Sequence, residues 1–250
     1  RSFNDWRFVL LVMIGSLAIF PDLGNATILF LVSLLMYSIS GIAHRWFATI
    51  LAILTTLATV ILTTIKVIGV DKVSKIPVFG YVAKRFSAFF NPFDDVAGAG
   101  HQLANSYYAM VNGGWFGLGL GNSIEKRGYL PEAHTDFVFS IVIEEFGFVG
   151  ASLILALLFF LILRIILVGV RAKDPFNSMV AIGIGGMILI QVFVNIGGIS
   201  GLIPSTGVTF PFLSQGGNSL LVLSVAIAFV LNIDASEKRA KLYSEYESQL

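Results

Sequence analysis

Cysteine is absent from the 250 residues, so disulfides, zinc thiolates and thiol nucleophiles play no part here. Charge is scarce too. Only 12% of residues are Asp, Glu, Lys or Arg, about half the share of a soluble domain. The formal net charge of +1 argues against nucleic acid as a partner. Neither an initiator methionine nor a signal-peptide pattern opens the chain, which starts Arg1-Ser-Phe-Asn-Asp5 and reads as a piece of a longer one.

What is present is hydrocarbon. Hydrophobic residues make up 56% of the chain, and the mean hydropathy is +0.86. Charge is missing altogether from Trp46 to Ile65, from Phe146 to Leu163 and from Pro175 to Ile233. The last run is too long for one span and must turn back on itself. The fold class expected is an all-α polytopic membrane protein with six transmembrane helices in this chain and a long extracytoplasmic loop containing amphipathic helices.

The first two apolar runs, Phe8–Phe20 and Leu23–Ser40, read as a helical hairpin turned by Pro21-Asp-Leu-Gly24. Phe47–Ile65 is the third span. Residues 66–135 form a loop far longer than the usual connection, yet they are rich in aromatics. Arg85–Asp94, stopped by Pro92, and His101–Val111 read as amphipathic helices of the kind that lie in a membrane interface. Gly113–Gly121 reads as a flexible apolar tract. Phe137–Leu163, Ser178–Ile196 and Ser219–Ile233 are the fourth to sixth spans. The organisation expected is spans one to three over 1–65, the loop over 66–135, spans four to six over 136–233 and a cytoplasmic tail over 234–250. Arg1 and Arg7, Arg45, the Arg164/Arg171/Lys173 group and the Lys238/Arg239/Lys241 group then share one side, the cytoplasmic one. The loop ending at Asp136 and the Gly197–Asn218 loop share the other.

The polar residues concentrate in Asn122-Ser-Ile-Glu-Lys-Arg-Gly-Tyr-Leu-Pro-Glu-Ala-His-Thr-Asp136, at the mouth of a span. Charge placed there costs free energy and usually marks chemistry or a ligand. Asp136 reads equally as a helix N-cap and as a reactive carboxylate. If Pro131 starts a helical turn, Glu132 and Asp136 sit four apart on one face and repel, which suits a general base or a cation site. His134 reads as a base or a metal ligand. Lys126 and Arg127 read either as a diphosphate clamp or as cations snorkelling to the interface.

Glu144 and Glu145 lie inside the fourth span, where interhelical ion pairs are the expected use. No cation lies within the other spans, so their partner is expected outside this chain, which then would not fold alone. Asp22 is a turn residue or a second outer-face carboxylate. The Ser214–Ser219 turn is a plain glycine turn or an anion nest. Gly117-Leu-Gly-Leu-Gly121 lacks the preceding strand of a dinucleotide site. From these residues alone an enzyme and a transporter stand level. The carboxylates gather at the mouth rather than the midplane, which a transporter would not favour.

The motifs carry a resemblance. Pro21-Asp-Leu-Gly24, Asn91-Pro-Phe-Asp-Asp95 with Gly100-His-Gln102, Gly117-Leu-Gly-Leu-Gly-Asn-Ser123 and Lys126 resemble the shape, elongation, division and sporulation family. So do Tyr129-Leu-Pro-Glu-Ala-His-Thr-Asp-Phe137, Glu144-Glu-Phe-Gly147, Pro204-Ser-Thr-Gly207 and Pro211-Phe-Leu-Ser214. The likeness runs along the whole chain and corresponds to spans five to ten of ten, leaning towards the division branch. Ser214-Gln-Gly-Gly-Asn-Ser219 departs from the family's usual Ser-Tyr-Gly-Gly-Ser-Ser.

The resemblance implies a multi-pass protein of the bacterial cytoplasmic membrane, at the division septum, that polymerises lipid II into glycan on the outer face. It implies Asp136 as the general base, supported by Glu132, His134 and Thr135. Lys126, Arg127, Asp22, Gln102 and Ser214 are implied for substrate and diphosphate, with a divalent cation, magnesium or manganese, as the candidate cofactor. The implied partners are lipid II, the nascent glycan strand, a class B penicillin-binding transpeptidase and other division proteins. A lipid flippase and a non-enzymatic division scaffold are the alternatives.

Overall fold

The computed structural model describes residues 23–39, 80–98 and 100–247, together with positions 52, 56, 60 and 63. The expected Phe8–Phe20 span, the Pro21-Asp22 turn and most of Phe47–Ile65 lie outside the described residues. Of the last, Ala52, Thr56, Val60 and Thr63 are helical. Every regular element among the described residues is helical. They are α1 (Leu23–Ile39), α2 (Gly80–Phe90), α3 (His101–Gly113), a 3-10 turn (Glu125–Arg127), α4 (Val138–Arg171), α5 (Pro175–Ile199) and α6 (Gly217–Glu247). Of these, α4, α5 and α6 are long and apolar enough to cross a membrane, and α1 is a shorter apolar helix.

Small residues decide how closely α5 is approached. A side chain at Gly183 would strike Met36 and one at Gly186 would strike Leu35, both on α1; at Gly185 it would strike Ile166 of α4. Bare backbone on two faces lets both neighbours pack at short range, as in membrane helix pairs generally. At the far end of the bundle the α4–α5 link is tight. The Asp174 carboxylate caps α5 by accepting from Phe176 and Asn177 N–H groups, with Pro175 in the first turn. The Glu237 carboxylate on α6 accepts from the Lys173 and Asp174 N–H groups. The charged tail from Asp234 is therefore no loose appendage. It continues α6 without a break to Glu247.

At the other end the loops are welded to the helices. Phe139 of α4 and Phe210 of the α5–α6 loop stack at 4.7 Å with rings 4° from parallel, both buried. The Ser106 hydroxyl donates to the Ile199 carbonyl at 3.1 Å and so accepts from the Ser140 hydroxyl at 2.8 Å. Those two bonds tie α3, α4 and α5 together.

The fourth span is not one helix. Gly147 interrupts α4 with φ 69 and ψ 179, backbone that side-chain-bearing residues essentially never adopt. The Gly113–Gly121 tract runs across this break, and it is held rather than flexible, contrary to the sequence expectation. Leu118 and Gly119 N–H groups donate to the Glu144 and Glu145 carbonyls, and Phe148 and Val149 N–H groups donate to the Gly114 and Trp115 carbonyls. The break frees those carbonyls and amides from the helix, and the tract satisfies them. Trp115 packs edge-on against Phe148 at 5.6 Å.

This break also corrects the expectation about Glu144 and Glu145. They belong to the short segment of α4 ahead of Gly147, wrapped by α3, the tract and the 3-10 turn. Their partners come from this chain. Lys126 forms an ion pair with Glu145. Glu144, fully buried, accepts from the Asn112 amide, the Ser123 hydroxyl and the Ile124 and Glu125 N–H groups. A buried carboxylate satisfied by several donors needs no counter-charge in hydrocarbon, so the expected cation from outside the chain is not required.

Glu125 is the exception in this network. Its side chain is buried, and its Oε2 has no hydrogen-bond partner among the described residues. Burial first, then the Glu144 carboxylate beside it, raises its pKa. A raised carboxyl favours the protonated form in the fold, so its stabilising contribution is full at low pH and is lost as pH rises through the raised value. Glu125→Gln mimics the protonated form. It is expected to melt above the native protein at neutral pH and together with it below the ordinary carboxylate range, as thermal melts across pH would read.

Candidate active site

Asp136 does not cap α4. The helix begins at Val138 with Phe137 in the cap position, and no side chain caps it. The helical turn expected from Pro131 is also not formed. Glu132 adopts φ 57, and its carbonyl accepts from both the Thr135 and Phe137 N–H groups. A left-handed residue there ends any helix, so Glu132 and Asp136 do not share a helical face. The Glu132 side chain is exposed and accepts from the Thr135 hydroxyl at 2.6 Å.

The Asp136 carboxylate instead meets the turn at Gly207. Its Oδ2 lies 3.3 Å from the point that a Cβ on Gly207 would occupy, and the two terminal nitrogens of Arg85 lie 3.1 and 3.5 Å from the same point. Gly207 has φ 76 and no side chain, and both features are needed for the two charged groups to converge over it. Arg85, from α2, also donates to the Ser205 carbonyl. The turn therefore carries a carboxylate and a guanidinium on one patch of bare backbone.

These groups open into a partly open cavity lined by Arg85, Gln102, Asp136, Asn195 and the Ser205–Val208 turn, with Phe137 and the last turns of α5 behind. Asn195 donates to the Asp136 carbonyl at 2.7 Å and the Val208 carbonyl at 2.6 Å, fixing the two backbones against each other. The second clamp is Ser214. Its hydroxyl donates to the Thr135 carbonyl and accepts from the Phe210 N–H, both at 2.7 Å. The Gln215 N–H donates to the His134 carbonyl at 2.7 Å. The Asp136 turn is thus held at three consecutive residues, His134 and Thr135 by the α5–α6 loop and Asp136 by α5.

Of the residues singled out from sequence, Asp136 and Gln102 share this cavity. Thr135 and Ser214 lie just behind it as main-chain and hydroxyl supports. The His134 side chain is exposed. Lys126 faces Glu145, and Arg127 is exposed on the same 3-10 turn; neither lines the cavity. The Ser214–Ser219 turn spends three of its amides within the protein, Ser214 on the Phe210 carbonyl, Gln215 on the His134 carbonyl and Gly216 on the Ser214 carbonyl. Asp22 lies outside the described residues. Arg85 and Asn195 were missed. Each carried a signal: a cation on an aromatic amphipathic helix, and a polar amide in the body of a largely apolar span.

Among the described residues no group of three or more His, Asp or Glu side chains is placed to hold a metal ion. Among the described residues the donor set at Asp136 is one carboxylate beside a guanidinium, which alone does not hold a divalent cation. A clamp of that kind suits an anion next to a group that accepts a proton.

Comparison with known proteins bears directly on this site. The profile of the FtsW/RodA/SpoVE cell cycle proteins matches residues 1–239. The chain belongs to that family. It is 52% identical over its whole length to the "Probable peptidoglycan glycosyltransferase FtsW" of Lactococcus lactis subsp. lactis, covering 60% of that protein. It is 41% identical over 96% of its length to the protein of the same name from Enterococcus hirae, covering 62% of it. The chain therefore spans about three fifths of these relatives. A solved structure described as the structural coordination of polymerization and crosslinking by a peptidoglycan synthase complex matches with a TM-score of 0.68 at 25% identity, over 95% of this chain and 64% of that one. Like its FtsW/RodA/SpoVE relatives of known structure, the chain is a multi-pass helical membrane protein.

Proposed function

We propose that this chain carries the reacting site of a peptidoglycan glycosyltransferase that polymerises lipid II on the outer face of the bacterial cytoplasmic membrane during division. One observation carries the reading: Asp136, freed from capping, faces a cavity with Arg85 over the side-chain-free Gly207 turn. In this reading Asp136 takes the proton from the 4-hydroxyl of the acceptor sugar. That oxygen attacks the anomeric carbon of the growing chain, forming the glycosidic bond with inversion. The bond from that carbon to the lipid diphosphate breaks, and the diphosphate departs with the electron pair. The leaving group needs charge neutralisation rather than a proton, and the Arg85 guanidinium, matched to phosphate oxygens, supplies it at the cavity wall. A divalent cation taking part would arrive bound to the diphosphate.

Support comes from the glycosyltransferase names of the relatives and from a related structure whose description couples polymerization with crosslinking. The partner assigned on that basis is a class B penicillin-binding transpeptidase, and the setting is the septum.

Detergent solution separates this reading from its rivals. The full-length protein with its transpeptidase partner, given lipid II in micelles, is expected to make long glycan strands resolvable on a gel. A flippase has no compartments to join in a micelle, and a scaffold has no chemistry. Absence of glycan there, with movement of lipid II across vesicles, would overturn the proposal.

A further inference from the structure

Asn195 stands near the end of α5, only 3% exposed. Both acceptors of its amide, the Asp136 and Val208 carbonyls, are main-chain oxygens. A carbonyl accepts and never donates, so the nitrogen end of the amide is the one facing them, and both its protons are spent. The other end, Oδ1, is buried and has no partner among the described residues. The residue itself lines the cavity with Arg85, Gln102 and Asp136. A buried acceptor without a donor is costly, and native proteins leave one only where something else supplies the donor.

Two roles meet in this one side chain. Its amide protons set the spacing between the backbone that carries the reactive carboxylate and the turn on which that carboxylate rests. Val208 directly follows Gly207, so any slack at Asn195 passes into the Asp136–Arg85 arrangement. Its oxygen, by contrast, repels an anion and can only receive a proton donor. The cavity thus has a cationic wall at Arg85, and Asn195 beside it keeps an amide oxygen that is unpartnered among the described residues.

We propose that Asn195 is a positioning residue for the Asp136 carboxylate, and that a hydroxyl or amide N–H of the bound sugar completes its free Oδ1. This rests on the glycosyltransferase reading.

The test uses the full-length protein with its transpeptidase partner, lipid II as the probe, and three variants: Asn195→Ala, Asn195→Ser and Asp136→Asn. Rates are counted per folded molecule, from monodisperse gel filtration and thermal melts. Asn195→Ala is expected to lower kcat roughly 10²-fold, as small misplacements of catalytic groups do. The lost sugar contact is expected to raise KM about tenfold. Asn195→Ser, whose hydroxyl can still donate to one of the two carbonyls, is expected to recover part of kcat but not KM. Wild-type kcat and KM per folded molecule in Asn195→Ala would overturn the proposal, as would failure of both Asn195 variants to fold, which marks a purely structural residue. Asp136→Asn keeps the two readings apart. Activity in that variant sinks the glycosyltransferase site itself, whereas an inactive Asp136→Asn beside fully active Asn195 variants sinks only this inference.

Discussion

Asp136→Asn is expected to give a folded protein, bound to its partner, that polymerises lipid II roughly 10²–10⁴-fold more slowly than wild type, the range that a positioned general base contributes. The substitution is clean for structural reasons. Asparagine has nearly the same volume, so the contact over Gly207 stays filled. Asp136 caps no helix, because Phe137 holds that position without a side-chain cap, so no helix stability is lost with the charge. The main-chain carbonyl that Asn195 grips is untouched. What changes is the ability to take a proton, and the electrostatic complement of Arg85. The melting temperature should stay within a few degrees of wild type while glycan on a gel disappears. A variant that polymerises at the native rate would show that the carboxylate has no part in the chemistry.

Gly147→Ala carries the largest expected effect on stability. Gly147 has φ 69 and ψ 179, a backbone region that costs an alanine about 1–3 kcal/mol. The methyl group would also overlap the Gly117 nitrogen, the Trp115 carbonyl and the Phe116 nitrogen. These are main-chain atoms that cannot swing aside as a side-chain tip would. They are pinned by the four hydrogen bonds from Leu118, Gly119, Phe148 and Val149 that close the break, each worth about 0.5–1.5 kcal/mol net. Relieving the clash means peeling the tract away and losing those bonds, so the total runs to several kcal/mol against a typical stability of about 5–15 kcal/mol. The variant should accumulate poorly or melt many degrees low. Gly121→Ala is the control, with the same sign of φ, 85, but open space around the added methyl. It should lose far less. Equal melts for the two would mean that the crossing of tract and helix is not what holds this end of the protein.

Much of this architecture was legible in the residues because it rests on local chemistry. Charge-free runs outline α4, α5 and α6, while the amphipathic helix read over Arg85–Asp94 lies at Gly80–Phe90 and ends just before Pro92. The placement of the Asp136 loop beside the Gly197–Asn218 loop followed from counting spans, and in the structure Thr135, Asp136 and His134 are bonded to Ser214, Asn195 and Gln215. The illegible parts are those where distant segments answer one another. Gly147 inside an apolar run looks like any glycine in a span until the tract that crosses it is known. The partner of Glu145 comes from Lys126, nineteen residues earlier, and from a loop rather than a span. Capping of α4 by Asp136 was as reasonable as catalysis from sequence, because a carboxylate just before an apolar helix suits both. The left-handed Glu132 and the late start of the helix rule out the cap. The place of Arg85 was hidden for a related reason, since nothing local links α2 to a turn that begins 120 residues further on.

Where the lipid-linked sugar sits tests the central claim most directly. The measurement is a structure of full-length Asp136→Asn with its transpeptidase partner and bound lipid II, the slow variant serving to hold the substrate unreacted. The glycosyltransferase reading expects sugar density in the cavity between Gln102, Asn195 and residue 136, with a diphosphate against Arg85. Density seated instead on the Lys126–Arg127 turn, with the Asp136 cavity empty, would contradict it.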